Sequence, residues 1–329
     1  MLELFCKPVA SANSCSAMEA ETIQKNAVSP KNLMSIRNMF LLLLLVFGGI
    51  CNAQTITKYD NIGTYSEGLV ALKLDGKWGY VDETGKVVIA LKYDNAGSFH
   101  EGLASVTLNK KCGYVDKKGK EVIPLKYDVA YDFSEGLAPV KLNGKWGYIN
   151  KKGKIVVPLI YNQTSGFDEG LAPVELNGKW GFINPKGKEV IPLIYDFAMV
   201  FSEGAVAVKL NDKYGFIDKT GKEIIPLKYD DAGNFAEGLA PVQLNDKWGY
   251  VAKTGEAVIP LKYDKAESFS EGLALVELNG KYGFLDNTGK EVIPLKYDFA
   301  LDFSAGSALV KLNGEGFFID KNGDKIDKK

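Results

Sequence analysis

Few residues of this sequence could do chemistry, and most of those recur. His100 is the single histidine. General acid–base work would need a partner to orient its ring and a nucleophile within reach. Its position is held elsewhere in register by Ser66, Ser134, Asp168, Ser202, Ala236, Ser270 and Ser304, so His100 reads as drift at a solvent-facing site. Cys112 has Lys110 and Lys111 beside it, which favours a thiolate weakly. It stands where other copies carry Trp or Tyr, and reads as a small apolar residue replacing a ring. If that position is core, Cys112→Trp should raise the melting temperature.

Acids are the remaining chemical signal. Glu67, Glu101, Glu135, Glu169, Glu203, Glu237 and Glu271 recur with Asp60, Asp94, Asp128, Asp196, Asp230, Asp264 and Asp298. Paired carboxylates can cleave glycosides and clustered ones can hold calcium. Catalysis needs one asymmetric site, however, whereas these acids return beside every turn, where side-chain oxygens satisfy backbone amides. The repeated lysines Lys77, Lys111, Lys145, Lys179, Lys213, Lys247 and Lys281 bring acids with them and read as a mixed-charge ladder, not a nucleic-acid track. The sequence holds no phosphate loop, metal-ligand spacing or nucleophile elbow. No catalytic, cofactor-binding or metal-binding residue is assigned.

The elements that carry these residues are repeats. The glycine of the Glu-Gly step returns at Gly68, Gly102, Gly136, Gly170, Gly204, Gly238, Gly272 and Gly306, always 34 residues apart, which makes eight copies. In the copy at 136–169, Leu137–Leu142 alternates so that Ala138, Val140 and Leu142 share an apolar face. Asn143-Gly144 is a tight hairpin signal leading into Lys145–Asn150. A second turn at Lys151-Lys152-Gly153 leads into Ile155–Tyr161. Proline recurs in that third run at Pro124, Pro158, Pro192, Pro226, Pro260 and Pro294, which predicts an edge strand. Each copy is therefore expected to be a three-stranded antiparallel meander in an all-β chain, with 128–135 as a linker. The rings Trp78, Trp146, Trp180, Tyr214, Trp248 and Tyr282 are expected in the repeat core, each lying against a following glycine. A lone copy buries too little apolar surface to offset ordering costs of roughly 1.5 kcal/mol per residue, so copies must stack.

Glu-Gly-Leu-Ala-Pro-Val, then Asn-Gly-Lys-Trp-Gly-Tyr, Gly-Lys-Glu-Val-Ile-Pro and Tyr-Asp resemble the WG, or KWG, repeat of bacterial exported proteins, over about Thr55 to Ile326. The resemblance implies a binding or surface scaffold and supplies no active-site residues. The second copy departs from it at Cys112; the eighth does so at Ala305 and at Gly316-Phe317. Thr55–Asp60 and the truncated last copy complement one another, as the ends of a closed eight-bladed propeller-like ring would. Against this, 34 residues are few for a four-stranded blade of about 40 or more, which favours an open curved superhelix.

Ahead of the repeats, Arg37, the apolar run 39–47 and the small-residue site Cys51-Asn52-Ala53 have the three parts of a secretion signal. The expected organisation is an extension or mis-assigned start at 1–33, a signal at 34–53 cut near Ala53, and one repeat domain at 54–329, secreted, periplasmic or at the cell surface. The apolar run is short of the about 20 residues that span a bilayer, so no stable membrane span is expected in the mature chain. Charge is nearly balanced, with 40 Lys and Arg against 41 Asp and Glu, and no nucleic-acid partner is expected. Variation among copies concentrates after Tyr-Asp, at Val129, Tyr131, Gln163, Phe197, Met199, Val200, Asp231, Lys265, Phe299 and Leu301. A fixed frame presenting variable residues is how repeat proteins build recognition surfaces. The function expected is a non-catalytic scaffold that binds a protein, peptide or glycan there; the alternatives are that these side chains only fill space between copies, or that one pair of repeated acids makes a secreted hydrolase.

Overall fold

A computed structural model describes residues 59–326; the proposed signal and the extension before it lie outside the described residues. Every described element is a strand, and the strands form eight four-stranded antiparallel sheets, each paired in chain order, with no sheet closing on itself. The chain divides into two compact units. One runs to Phe167 and takes in Pro185–Gly187; the other holds Asp168–Asn184 and resumes at Lys188.

The third sheet shows how one copy folds. Its last three strands are Leu137–Leu142, Lys145–Asn150 and Ile155–Tyr161, the limits read from the pattern. The structure adds a fourth strand where a linker was expected: Val129–Ala130 pairs with Lys141 and Val140. Two hairpins follow from backbone chemistry. Glu135 (φ 52) and Gly136 (φ 79) turn the short first strand into the second, and Asn143 (φ 53) and Gly144 (φ 80) turn the second into the third. Two consecutive residues at positive φ make the tight turn whose twist matches paired strands. Glutamate is an unusual first residue for such a turn. The third turn closes through Asn150, whose Oδ1 accepts the amides of Lys152 and Lys154.

Proline and glycine are coupled across the last two strands. Trp146 pairs with Tyr161 and Tyr148 with Val157, so the outer strand bulges between them, and Pro158 sits within that bulge, where no ladder donor is required. The bulge swings the outer backbone over Gly147: a Cβ there would lie 2.6 Å from the carbonyl oxygens of Val157 and Pro158. The glycine after the ring exists for this backbone approach, not to seat the ring.

The core lies between sheets. Leu137–Val140 is buried on both faces, and clusters of buried residues join neighbouring sheets. One cluster joins Tyr80 and Ile89 of the first sheet to Phe99, Ala104 and Val106 of the second; another joins Tyr250 and Ile259 to Phe269 and Val276. At its centre the aromatic after the ring-glycine pair meets a phenylalanine of the next sheet, edge to face in most copies and tilted for Tyr148 and Phe167. Tyr80 and Phe99 have ring centroids 4.9 Å apart, as do Phe182 and Phe201. Where this aromatic is tyrosine, its hydroxyl donates across the joint, as from Tyr80 to Gly97 O at 2.7 Å and from Tyr250 to Glu267 O at 2.7 Å.

The WG rings lie at the border of the core, and Trp78, Trp180, Tyr214, Trp248 and Tyr282 pack against its buried clusters. Trp146 is 6% exposed, but Trp78, Trp180, Tyr214, Trp248 and Tyr282 are half-buried, while the aromatic two residues further on is fully buried. Both lie on one face of the strand. The ring is nearer the hairpin end, at the sheet margin, and the second aromatic is at mid-sheet against the next copy.

Candidate functional site

The repeated acids have structural partners. Asp94 Oδ1 meets Lys77 Nζ at 2.6 Å and its Oδ2 accepts the Asn109 amide at 2.7 Å. Asp128, Asp196, Asp264 and Asp298 repeat this with Lys111, Lys179, Lys247 and Lys281, so each lysine binds the aspartate of the following copy. The lysine and the amide hold the Asp94, Asp196 and Asp264 carboxyls below the ordinary carboxylate range. The glutamates clasp adjacent copies too. Glu203 accepts the Gly238 amide at 3.1 Å and pairs with Lys253 at 3.2 Å; Glu101 does the same with Gly136 and Lys151. Carboxylates tied to amides and lysines serve turns and joints.

His100 is half-exposed, not free in solvent, and its Nε2 lies 3.4 Å from Asp132 Oδ2 in the next copy. Burial raises the Asp132 carboxyl to about 6, against the pull of His100. The serines at the equivalent position do something different: Ser134 donates to Phe167 O and Ser202 to Phe235 O, both at 2.7 Å. Cys112 is 1% exposed, with Sγ 3.4 Å from Thr107 Oγ1 and 3.7 Å from Asp128 O. Among the described residues no group of three or more His, Cys, Asp or Glu could hold a metal ion.

The variable residues lie on or beside the short first strands, and Tyr131, Phe197, Lys265 and Phe299 touch the WG rings. Tyr131 lies on Trp146 with centroids 4.8 Å apart and planes at 31°. In the second unit Phe197 is held between Trp180, at 5.8 Å, and Tyr214, at 6.4 Å. Phe299 meets Tyr282 at 6.2 Å, and the Lys265 ammonium lies 5.6 Å from the same ring. Two residue sets that the sequence offers separately thus form one kind of surface: a half-buried ring flanked by whatever the first strand supplies.

Exposure divides the candidates. Gln163, Lys265, Phe299 and Leu301 are exposed; Val129, Tyr131, Phe197, Met199, Val200 and Asp231 are half-buried. Met199 packs against two core clusters and fills space between copies. Asp231 is raised by burial, and its Oδ1 accepts the Ala232 amide at 2.8 Å. Phe299 at 43% and Leu301 at 46% stay open, beside Glu267 and Asp302, which sequence reading passed over. Glu267 is the one acid at its position, and the position of Asp302 carries an acid elsewhere only as Asp132, so no regular recurrence marks the two, and only the pairing of neighbouring sheets brings them together. Partial burial raises both carboxyls, and the Glu267 charge helps bring Asp302 to about 6.

Solved structures resemble this fold at low identity. The crystal structure of a eukaryotic initiation factor is 12% identical, with a TM-score of 0.57, over 82% of this chain and 87% of that one. PorZ, a surface component of the type-IX secretion system of Porphyromonas gingivalis, is 14% identical with a TM-score of 0.33, over 82% of this chain and 46% of that one. Hsv2p of Kluyveromyces lactis is 9% identical with a TM-score of 0.43, over 69% of this chain and 93% of that one. The first of these likenesses speaks to fold alone. No curated protein matches the sequence. The WG containing repeat model matches residues 56–78, 78–112, 113–146, 146–180, 180–214, 214–248, 248–282 and 282–315. With eight matches running end to end over residues 56–315, the chain belongs to the WG containing repeat family.

Proposed function

We propose that this chain is an exported, non-catalytic scaffold that binds a protein, peptide or glycan partner through its first-strand residues and the WG rings beside them. The observation that carries this reading is the contrast between frame and variable surface. The repeated acids and lysines are consumed in joints, while Phe299 and Leu301 remain about half exposed next to Tyr282. Exposed aromatic and apolar side chains beside a cleft are what a recognition surface requires. Export rests on the sequence of 34–53 alone. A hydrolase draws less support, since the repeated carboxylates already spend their oxygens on amides and lysines.

The test is capture of partners by the mature chain from the envelope and surroundings of its own cells. The Phe299→Ser, Leu301→Ser double variant should keep the parental melting temperature and lose a captured partner. A partner list unchanged by this variant and by Phe197→Ser would reject the surface. Hydrolase activity that survives purification and vanishes on one acidic substitution would reject the non-catalytic reading.

A further inference from the structure

The joint between the last two sheets carries a cleft of about 280 Å³. Lys265, Glu267, Glu277 and Tyr282 come from one sheet, and Phe299, Leu301 and Asp302 from the next. Its volume lies just below the range of whole small-molecule sites, of order 300 Å³ and more, and suits one long side chain.

Its charge is uneven. Lys265 Nζ is 2.6 Å from Glu277 Oε2 and 3.1 Å from the Tyr282 hydroxyl, so its charge is already neutralised at the ring. Glu267 and Asp302 have no ion pair among the described residues; the Lys265 charge reaches Glu267 without pairing with it, and with Glu277 the cleft carries three carboxylates against one lysine. Elsewhere in the second unit the matching pairs of positions are Met199 with Asn234 and Gly233 with Ser268, and carry no charge. The rest of the wall is apolar: Tyr282, Phe299, Leu301, Leu275 and Val276.

Acids beside exposed apolar surface select among cations. A hard metal ion wants six or more oxygens and gains nothing from Phe299 or Leu301. A guanidinium is weakly hydrated, lies flat on aromatic faces, forks to two carboxylate oxygens, and has an aliphatic stem for apolar contact. The strand Phe299–Ala300 is first in its sheet, so one of its edges has no partner strand in that sheet beside which an extended peptide can run.

We propose that this cleft receives the arginine side chain of an extended peptide, its guanidinium between Glu267 and Asp302 and its stem against Phe299 and Leu301. The proposal rests on the binding-scaffold reading and names the chemistry of its partner. Lys265 sets the far wall by holding Glu277 and Tyr282, and makes no ion pair with Glu267 or Asp302.

The test is calorimetric titration of the intact chain with the capped pentapeptide Ala-Leu-Arg-Leu-Ala and its counterpart carrying citrulline, which keeps the shape and removes the charge. The arginine peptide should bind at least about tenfold more tightly, a difference of roughly 1.4 kcal/mol. Glu267→Gln and Asp302→Asn, each with an unchanged melting temperature, should weaken it about fivefold. Lys265→Met, which frees Glu277, should bind it no more weakly than the parent. Equal affinity for the two peptides, no binding at millimolar peptide, or parental affinity in both acid variants overturns the proposal. If a captured cellular partner is lost on Phe197→Ser but retained by Asp302→Asn, the scaffold reading stands and the arginine site falls.

Discussion

At the ring-glycine pair the glycine is the more constrained residue. A Cβ on Gly249 would meet Ile259 O at 2.5 Å, and that oxygen belongs to the bulged backbone, which cannot yield as a side-chain tip can. Gly249→Ala should therefore cost about 3 kcal/mol or more in chemical denaturation. Gly238→Ala, at φ 87 with nothing within 4 Å, should cost only the about 1 kcal/mol of a strained turn. Equal costs would show that the bulge is not what excludes the side chain. Cys112 is 1% exposed, buried like Trp146 and unlike the other rings, so Cys112→Trp tests whether a ring fits there. The melting temperature should rise by a few degrees; a fall would show that the contacts to Thr107 and Asp128 have closed the space. Met199 and Phe299 separate packing from display. Met199→Ser should destabilise by about 2 kcal/mol and Phe299→Ser by no more than about 0.5 kcal/mol.

Among elements, the joints between sheets matter most. The joint between the sheets of Tyr250 and Phe269 combines an edge-to-face aromatic pair, a tyrosine hydroxyl donating across the gap and the clasp of Glu237 on the Gly272 amide. Tyr250→Phe keeps the ring and loses the bond to Glu267 O, for an expected cost of about 1 kcal/mol by denaturant titration. The joint at His100 depends on pH. Burial lifts Asp132 from an ordinary 3.8 to about 6, so the folded chain holds this proton more tightly than the unfolded one. The associated stability is complete below the ordinary value and lost as pH rises through about 6. His100 opposes this by favouring the carboxylate, and Ser105 packs beside it. Asp132→Asn should flatten the stability profile between about pH 4 and pH 6 in thermal melts. Profiles of equal slope would show that Asp132 titrates alike in both states.

For the molecule as a whole, cores shared between sheets make each copy depend on its neighbours. Phe235 of the copy at 230–263 packs on Phe216 of the preceding sheet, and Tyr250 on Phe269 of the following one. A peptide of 230–263 alone should show no cooperative melt by circular dichroism, and a cooperative one would refute the shared-core account. The lysine–aspartate ladder weakens in acid. Its carboxyls are held below their ordinary pKa, so their contribution is present above about pH 4 and lost as pH falls through the lowered values. Each pair is exposed and small in energy; the ladder matters through its repetition.

The sequence by itself determined the period, the all-β class, the limits of three strands in each copy and the asparagine-glycine hairpin, because period-two alternation and positive-φ residues are local signals. It left the first strand unread: Val129–Ala130 pairs over only two residues, too few to alternate, and its existence depends on the edge of Leu137–Leu142. Glu135 looked like an acid beside a turn, and its place within the turn follows from the strand that sequence did not reveal. The ring looked like core because it is large and recurrent; only the packing of the next sheet decided that the second aromatic takes the interior and leaves the ring at the margin. The cleft at Glu267 and Asp302 was beyond sequence for the same reason. Those acids are 35 residues apart, no other copy carries both, and nothing local brings them together until two sheets stack.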